Sequence, residues 1–458
     1  MENTLYRILV KQNPWWIKEK IDNPKAFLPQ REIFPKLTFL LEKPRILAII
    51  GPRRTGKTVC LFQLIRFLLE KKKVKPESIG YLLCDDPEIE LYLLSHSLGE
   101  IIDGFLEERG EEMTYLFLDE VQYLANWAKW LKKYHEFYPN LKIVITGSSS
   151  LHLSAGSRES LVGRLVEEIL LPMGFFEYVK IKKQLNKGEK PVETISSDPV
   201  RKTDFLLTHP KEQLVREKSL VSDFRQFLLY GGFPEGLFEK DINLWQEYLK
   251  EDIVKRQIYH DIVKIFRIEN PSLLENLLFF IGSHQSELFS FESFLKALPF
   301  GSKETVVNYL AYLNESFLIK SLGKFSRKAL IKQKKYFLTD PGLANMITGR
   351  TTLLADEEFL GHLVEGLVAN SLIRKHPCFF FRDEKGREID LIIRKDKEII
   401  PIEVKYRENI KMEDLSSLVY FIKRQNVSQG LVLTKKLLKK EKIDRFFLYF
   451  LPVWEFLY

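Results

Sequence analysis

The chain has few cysteines and no long apolar run. Among its 458 residues are 3 cysteines, which lie far apart at Cys60, Cys84 and Cys378. This spacing forms no pair motif, so we expect a reduced, cytoplasmic protein without a disulfide framework. No apolar stretch approaches the roughly 18 residues of a membrane span, and the N-terminal residues lack the apolar block of a signal peptide. These absences exclude a disulfide scaffold and predict no membrane partner.

Metal-ligand spacing and internal repeats are missing as well. The 8 histidines show no spacing typical of a zinc site. The length predicts about three domains, and a hydrophobic content of 45% is sufficient for packed cores. The net charge of +8 is compatible with a nucleic-acid partner, and a solvated basic surface would explain it equally well.

Short apolar runs alternate with helical patterns in the first third of the chain. The runs are RILAII at 45–50, SIGYLLC at 78–84, TYLFLD at 114–119 and LKIVITG at 141–147. Strands that alternate with helices are typical of an α/β fold, in which helices cover a parallel sheet. We therefore predict such a sheet for this part of the chain.

The first predicted strand runs into GPRRTGKT, which matches the P-loop pattern. The motif consists of Gly51, Pro52, Arg53, Arg54, Thr55, Gly56, Lys57 and Thr58. Its backbone N–H groups and the start of the following helix favour phosphate, Lys57 would contact the β- and γ-phosphates, and Thr58 would bind Mg²⁺. The motif predicts an ATP–Mg²⁺ site, and a glycine turn without a ligand is the alternative.

Two acids end the strand in TYLFLDEVQ. An unpaired buried charge is unfavourable, so acids at the end of a buried strand indicate a ligand. Asp119 would hold Mg²⁺ and Glu120 would polarise the attacking water, whereas a solvated strand end is the alternative. Ser148 and Ser149, which follow the next strand, could contact the γ-phosphate or could simply form a polar loop.

An arginine near the transferred phosphate accelerates phosphoryl transfer strongly. The stretch SRESLVGRLVEEILLP at 157–172 offers Arg158 and Arg164. Arg164 is our candidate, acting on its own nucleotide or on that of a neighbouring subunit, and a structural arginine is the alternative.

Several motifs together resemble prokaryotic AAA+ ATPases of the archaeal type, which carry a C-terminal domain of uncertain function. The motifs are GPRRTGKT, YLFLDEVQ, ITGSSS, SLVGR and YGGFPE at 230–235. The resemblance implies an ATPase core over 1–179 and a helical lid over 213–265. Between them, 180–212 is rich in Lys, Pro, Ser and Thr without a sustained period, which predicts an insertion or mobile linker.

The segment 266–350 has the pattern of a winged-helix domain, with three amphipathic helices followed by a hairpin. Ser302 precedes the third helix and is a plausible N-cap. A run of basic residues without acids covers the hairpin, and it consists of Lys320, Lys324, Arg327, Lys328, Lys332, Lys334 and Lys335. On a wing these residues would neutralise DNA phosphates, and a solvated structural domain is the alternative.

Near the end, EIDLIIRKDKEIIPIEVKYR at 388–407 predicts a hairpin whose charged residues share one face. Asp390 and Glu403 would meet there and need a cation to offset their repulsion, and Mg²⁺ prefers such oxygen ligands. Lys405 would stabilise charge on a phosphodiester, and Glu365, on a predicted helix, could add a third carboxylate.

This D-x12-E-x-K arrangement resembles the restriction-endonuclease-like PD-(D/E)XK fold, although Ile389 stands where a proline is usual. The resemblance implies a small α/β nuclease-like domain within 351–458, in which Glu365, Asp390 and Glu403 bind metal and Lys405 assists cleavage. An ordinary charged hairpin and an inactive nuclease fold used for binding are the alternatives.

Three functions agree with these patterns. The first is an AAA+ ATPase that binds duplex or branched DNA, with a metal-dependent nuclease activity at its end and homo-oligomerisation as an option. The second is a regulatory ATPase whose nuclease-like domain is inactive and contacts protein. The third, an ATP-dependent remodeller of proteins, lacks a pore-loop motif. The basic run at 320–335 favours the first.

Overall fold

The structure is a computed structural model that describes residues 3–107, 113–148, 161–186, 192–266, 268–326, 333–353, 356–395 and 398–458. The chain forms two compact units. The first contains Met1–Leu171 and Tyr259–Ile268, and the second contains Pro172–Ile258 and Glu269–Tyr458. Among the described residues, each helix is too short or too polar to cross a lipid bilayer.

The first unit contains a five-stranded parallel sheet of order β2-β3-β4-β1-β5. Its strands are β1 Ile46–Ile50, β2 Ile79–Leu83, β3 Thr114–Asp119, β4 Leu141–Gly147 and β5 Leu165–Ile169. The helices are α1 Asn3–Gln12, α2 Trp15–Lys18, α3 Phe34–Leu41, α4 Lys57–Glu70, α5 Pro87–Tyr92, α6 Leu98–Leu106 and α7 Trp127–Phe137. The four predicted strands are thereby confirmed, and β5 is an addition that the sequence pattern did not indicate.

The sheet of the first unit is buried because its strands consist almost entirely of apolar residues. All residues of β1 and β4 are buried. Helices α3 and α4 pack on one face, where Leu37, Leu61 and Ile65 join Leu47 and Phe117 in a common core. This packing holds the carboxyl ends of β1, β3 and β4 side by side at one edge of the sheet.

The second unit is helical at its beginning. Its first helices are α8 Phe175–Leu185, α9 Pro199–Thr208, α10 Pro210–Tyr230 and α11 Ile242–Tyr248. Two π-helical stretches, Leu249–Lys255 and Gln257–Ile262, and the short α-helix Val263–Phe266 follow and lead into the first unit. The helical character expected over 213–265 is therefore present.

The segment 180–212, predicted as an insertion or mobile linker, contains the end of α8 and the whole of α9. Asp198 accepts the backbone N–H groups of Val200 and Arg201 and thereby caps α9. Lys202 on this helix is buried and donates to the carbonyl of Glu455 at 2.8 Å. Helix α9 was not predicted because its few apolar residues show no clear helical period. Its attachment to the last helix comes from a buried ion pair instead.

The remaining helices are α12 Pro271–Ser283, α13 Phe291–Ala297, α14 Lys303–Glu315, α15 Pro341–Thr348, α16 Glu357–Ile373, α17 Ser416–Gln425 and α18 Val453–Leu457. The strands are β6 Leu288–Phe289, β7 Ile319–Lys324, β8 Lys334–Leu338, β9 Cys378–Arg382, β10 Glu388–Lys395, β11 Glu398–Lys405, β12 Gln429–Thr434, β13 Lys439–Ile443 and β14 Phe446–Pro452. Ser302 caps α14 as expected, because its hydroxyl accepts the N–H of Thr305 at 3.1 Å.

All these strands belong to one nine-stranded mixed sheet of order β13-β14-β12-β11-β10-β9-β7-β8-β6. Helices α12 to α14 and the hairpin β7–β8 have the order expected for 266–350. However, β7 pairs in parallel with β9, at Gly323 with Phe379 and Lys324 with Phe380. The hairpin is consequently continuous with the sheet of the C-terminal segment, and β6 pairs with its other strand, β8.

Candidate functional site

The phosphate-loop motif lies where β1 ends and α4 begins. Gly51 leaves β1 so close to the chain after β5 that a Cβ atom there would lie 2.2 Å from the carbonyl oxygen of Leu170. Gly56 precedes α4 with φ of 95°, in the left-handed region that favours glycine. Both glycines are therefore required by the backbone path. The loop ends at the start of α4, where free N–H groups and the helix dipole favour an anion.

Lys57 folds back over its own loop. Its side chain is 4% exposed, and Nζ donates to the carbonyl oxygens of Gly51 at 3.2 Å and Pro52 at 3.0 Å. Nζ also lies 3.9 Å from Oε1 of Glu120. The ammonium group is thus held mainly by neutral oxygens of the loop, which an incoming phosphate can replace.

Asp119 lies at the end of β3 and is fully buried. Its carboxylate accepts the hydroxyls of Tyr81 at 2.9 Å, Thr146 and Thr58. Burial raises the pKa of Asp119, the hydrogen bond from Thr146 lowers it, and the charge of Glu120 raises it again. Thr58 and Asp119 therefore offer adjacent hydroxyl and carboxylate oxygens, the donors that Mg²⁺ prefers, and these residues fit the ion.

Glu120 follows in a left-handed backbone conformation with φ of 57°. Its N–H donates to the hydroxyl of Thr146 at 3.0 Å, and its carboxylate accepts from Nε2 of Gln122 at 2.6 Å. A non-glycine residue in this region is strained, and such strain is concentrated at functional sites. The structure brings Glu120 beside Asp119 and Lys57, as the sequence predicted. The supporting roles of Thr146 and Gln122 were missed, although both lie in the quoted strand-end motifs.

Two further polar residues border this edge of the sheet. Ser148 directly follows β4, the strand that lies between β3 and β1 in the sheet, and is buried. Its predicted contact with a γ-phosphate stays a prediction, and Ser149 lies outside the described residues. Asp85, which sequence analysis missed, follows β2, and burial together with the charge of Glu120 raises its pKa.

The side chains of the two arginines in the loop have different environments. Arg53 forms a two-point ion pair with Asp261, whereas Arg54 is exposed and has φ of 64°. Both were predicted to bind the nucleotide. The Arg53 side chain thus ties the loop to the segment that carries Asp261.

Arg164 lies at the opposite edge of the sheet from the phosphate loop. Its carbonyl accepts the N–H of Ile46 at 2.9 Å, and Leu165 pairs with Ile46 at the beginning of β1. Since a strand rises about 3.3 Å per residue, roughly 15 Å separate this position from the loop. The guanidinium instead forms an ion pair with Glu136. The structure therefore does not place Arg164 at the phosphate loop of its own chain, its role in hydrolysis stays a prediction, and Arg158 lies outside the described residues.

The predicted hairpin near the end of the chain is present in the second unit. Strands β10 and β11 pair antiparallel, with Leu391 opposite Ile402. Asp390 accepts the backbone N–H of Val404 at 2.8 Å, and Nζ of Lys405 lies 2.6 Å from Oε1 of Glu403. Burial and the charge of Asp390 raise the pKa of Glu403 to about 8, so these two carboxyl groups are neighbours.

Helix α16 covers this side of the hairpin and supplies Glu365. Burial raises the pKa of Glu365 to about 7, the charge of Lys335 lowers it, and Asp390 raises it. We refer to Glu365, Glu388, Asp390 and Glu403, with Lys335 and Lys405, as the carboxylate cluster.

The alternation of side chains along β10 is interrupted by a register shift between Ile389 and Ile392. The shift lets both residues enter the core beside α17.

Lys335 contradicts its predicted place on a DNA-binding wing. It is 2% exposed, and Nζ lies 2.9 Å from Oε1 of Glu365 and 2.6 Å from Oε1 of Glu388. Burial lowers the pKa of Lys335, but the charges of Glu365, Asp390 and Glu388 outweigh it and raise the pKa overall. Of the other basic residues in the run, Lys334 is exposed and Lys320 and Lys324 are half-buried. Arg327, Lys328 and Lys332 lie outside the described residues.

The carboxylate cluster does not fit a metal site as its side chains are arranged. Within the described ranges, no group of three or more His, Cys, Asp or Glu side chains is placed to hold a metal ion. Glu365 and Glu403 each pair with a lysine instead. The predicted ligands Glu365, Asp390 and Glu403 are thus brought together, but lysines supply the positive charge that their repulsion requires.

Family models match three parts of the chain. Residues 43–179 match the model of an AAA domain, 221–354 match a domain of unknown function (DUF8612), and 360–456 match another domain of unknown function (DUF4143). The last match contains the whole hairpin β10–β11 and most of α16.

Curated relatives cover most of the chain. The uncharacterized protein MJ1544 of Methanocaldococcus jannaschii is 28% identical over 413 residues, which is 88% of this chain and 84% of the relative. An uncharacterized protein of Haemophilus influenzae is 23% identical and covers 92% of this chain and 96% of the relative. The arrangement of the segments is therefore shared, and no function follows from these names.

Solved structures resemble the chain distantly. The ORC1 protein of Aeropyrum pernix in complex with DNA has a TM-score of 0.30 and 15% identity, covering 70% of this chain and 93% of that chain. Cdc6p of Pyrobaculum aerophilum has a TM-score of 0.25 and 16% identity, covering 72% and 98%. Likeness at this level carries no argument, and the assignment rests on the strand order, the loop geometry and the family model. Residues 43–179 thus match the model of an AAA domain, and the strand order and loop geometry of the first unit are those of a P-loop α/β fold.

Proposed function

We propose that the first unit binds ATP with Mg²⁺ and hydrolyses it to ADP and phosphate. The observation that carries the proposal is the convergence of Lys57, Thr58, Asp119 and Glu120 at one edge of the sheet. The Lys57 ammonium lies 3.9 Å from the Glu120 carboxylate, and the Thr58 hydroxyl donates to Asp119. These are the residue types that phosphoryl transfer to water needs.

Binding follows from the loop and from Lys57. The N–H groups of loop 51–56 and of the first turn of α4 would surround the phosphates, and Lys57 would exchange its bonds to Gly51 and Pro52 for phosphate oxygens. Thr58 and Asp119 would hold Mg²⁺, which neutralises charge on the phosphate oxygens when bound.

Hydrolysis requires a positioned base. Glu120 would accept the proton of the attacking water as its oxygen bonds to the γ-phosphorus and the bond to the ADP oxygen breaks. The hydrogen bond from Gln122 would hold the carboxylate of Glu120 in place. Ser148, after the central strand β4, would contact the γ-phosphate.

The test is the affinity of the Lys57→Ala variant for a fluorescent ATP analogue. We expect binding to be lost within the measurable range, because the loop keeps its backbone but no longer carries the cation. Lys71→Ala, just after the end of the same helix, is the matched control and should bind like the wild type. Tight binding by Lys57→Ala would refute the phosphate site.

For the second unit we propose a binding role rather than cleavage. The lysines within the carboxylate cluster favour a nuclease-like domain without cleavage activity that is used for binding. The net charge of +8 supports DNA as the binding partner. Lys335 is buried and is therefore not available to contact DNA phosphates. Filter binding of duplex and branched DNA across salt concentrations tests it, and no binding at low salt would favour a protein partner.

Arg164 could reach a nucleotide only from a second copy of the chain. We therefore propose a homo-oligomer as the setting in which Arg164 would contribute to hydrolysis. Mixing Arg164→Ala with Lys57→Ala chains tests this proposal, because each mixed interface can combine an intact Arg164 with an intact phosphate loop. Recovery of hydrolysis on mixing supports action between subunits, and no recovery contradicts it.

A further inference from the structure

Arg53 connects the phosphate loop to a distant segment of the chain. Its Nε donates to Oδ2 of Asp261 at 3.0 Å, and its Nη2 donates to Oδ1 of the same carboxylate at 2.8 Å. Nη2 also donates to the hydroxyl of Tyr123 at 3.1 Å. One guanidinium thus joins the loop, the turn after Glu120 and the segment that carries Asp261, all of which belong to the first unit.

The ion pair is built into the fold rather than placed on the surface. The side chain of Asp261 is 6% exposed and that of Arg53 is 21% exposed. A two-point contact between a planar guanidinium and a carboxylate fixes orientation as well as distance. Removing one partner would leave the other charge poorly solvated, so the pair constrains where the loop lies at Arg53.

Asp261 belongs to an unusual segment. It lies in the π-helical stretch Gln257–Ile262, which follows another π-helical stretch at Leu249–Lys255 and precedes the α-helix Val263–Phe266. π-Helical turns are rare and occur frequently at functional sites. A change from π-helical to α-helical turns would rotate the side chains that follow, including Asp261, about the helix axis. The position of Asp261 is therefore sensitive to the state of this helix.

We propose that Asp261 is a positioning residue for the phosphate loop and that nucleotide binding and the conformation of Tyr259–Ile268 influence each other through Arg53. This inference rests on the proposed ATP site. Through Arg53, Asp261 holds the phosphate loop so that the backbone N–H groups of the loop are already arranged for phosphate. Such preorganisation raises the affinity for the nucleotide. Because coupling between two sites is reciprocal, a nucleotide that orders the loop must also stabilise the conformation of the segment that holds Arg53.

The first test compares nucleotide affinity in Asp261→Asn, Arg53→Gln and the double variant. Each single change should weaken binding of a fluorescent ATP analogue about tenfold, within the usual range of coupling between sites. The double variant should bind the analogue as tightly as whichever single variant binds it less tightly, since both changes remove the same ion pair. Glu70→Gln, which removes an exposed ion pair with Arg66 on α4, is the matched control and should bind normally.

The second test follows hydrogen exchange of residues 257–266 with and without ATP. In the wild type, ATP should slow exchange there, and in Arg53→Gln it should not, with each protein measured well below its own melting temperature. If Asp261→Asn does not fold, Arg53→Lys replaces it, because lysine keeps the charge but loses the two-point contact.

The outcomes separate this inference from the proposed function. Retained ATP binding by Lys57→Ala would remove the site altogether. Loss of binding in Lys57→Ala, with unchanged affinity or unchanged ATP-dependent exchange in the Asp261 and Arg53 variants, would overturn the positioning role alone. Additive losses in the double variant would also overturn it.

Discussion

Lys57 in the first unit and Lys335 in the second unit are both buried lysines beside carboxylates, but their partners differ. Nζ of Lys57 is held by two carbonyl oxygens of its own loop and lies 3.9 Å from Glu120. Nζ of Lys335 lies within 2.9 Å of both Glu365 and Glu388. A lysine bound by neutral oxygens can exchange them for an anion, whereas one bound by two carboxylates is already neutralised.

The carboxylates show the same contrast. Asp119 is satisfied by hydroxyl donors, so a cation can be added beside it without displacing another charge. Glu403 and Glu365 each pair with a lysine within the fold. One region is thus arranged to receive external charges, whereas in the other the carboxylates are paired with lysines inside the fold, and Oε2 of Glu403 is buried without a hydrogen-bond partner. The variants below test this difference.

The largest expected effect is on hydrolysis by Glu120→Gln. Removal of a general base reduces turnover by roughly 10²–10⁴-fold, while ATP binding should be retained because Lys57 and the loop are unchanged. Phosphate release in single- and multiple-turnover experiments measures this effect, with Glu70→Gln as control. Near-normal turnover would exclude Glu120 as the base and would weaken the contrast between the two regions.

A large effect on stability is expected for Lys335→Met. Breaking a buried ion pair by removing one partner destabilises proteins by about 3–5 kcal/mol, since the remaining charges stay buried. Urea unfolding measures the loss, and Lys11→Met serves as control because the Lys11–Glu88 pair is 65% and 51% exposed and should contribute about 0–1 kcal/mol. Equal small losses in both variants would show that the Lys335 network is not required for the fold.

A smaller effect is expected from pH. The pKa of Glu403 is raised to about 8 and that of Glu365 to about 7, above the usual 4.5 of an unfolded glutamate. The folded protein therefore binds more protons, and stability should fall as pH rises from about 5 to about 8, by at most about 1.4 kcal/mol per pH unit for each proton.

Glu403→Gln sharpens this test because it removes one titrating group and keeps the shape. The pH-dependent loss of stability should become smaller in this variant, as followed by urea unfolding at several pH values. A slope identical to that of the wild type would mean that Glu403 titrates normally and that the cluster is more open than the structure indicates.

The smallest effect is expected from Asp390→Ala on DNA cleavage. If the cluster is closed, wild type and variant should both leave duplex and branched DNA intact with Mg²⁺ or Mn²⁺. Gel assays measure the products. Metal-dependent cleavage by the wild type that disappears in Asp390→Ala would break the comparison and establish a nuclease site.

Local patterns predicted much of the first unit. The apolar runs at 45–50 and 141–147 became β1 and β4, because short, mostly apolar runs next to turn signals have few alternatives to a buried strand. Strand β5, LVEEI, was not predicted, because its two glutamates hide the pattern of a strand paired with β1. Without β5, nothing in the sequence indicated that Arg164 lies opposite the phosphate loop.

In the second unit, contacts between residues far apart in the sequence determined which predictions failed. The hairpin β10–β11 and the cap Ser302 follow from local rules and were predicted. The pairing of Lys335 with Glu365 joins residues 30 positions apart on different elements. A run of basic residues therefore looked like a solvated wing, although one member is the counterion of a buried cluster.

By itself, the sequence determined the phosphate loop, the acids after β3 and the polar residues of the terminal hairpin, because glycine geometry, apolar periodicity and residue spacing act over a few neighbouring residues. Only the tertiary structure decided which charges neutralise one another: Arg53 with Asp261, Arg164 with Glu136 and Lys335 with Glu365. The physical reason is that the interaction of two charges depends on their distance and burial in the folded chain, and neither quantity is contained in sequence separation.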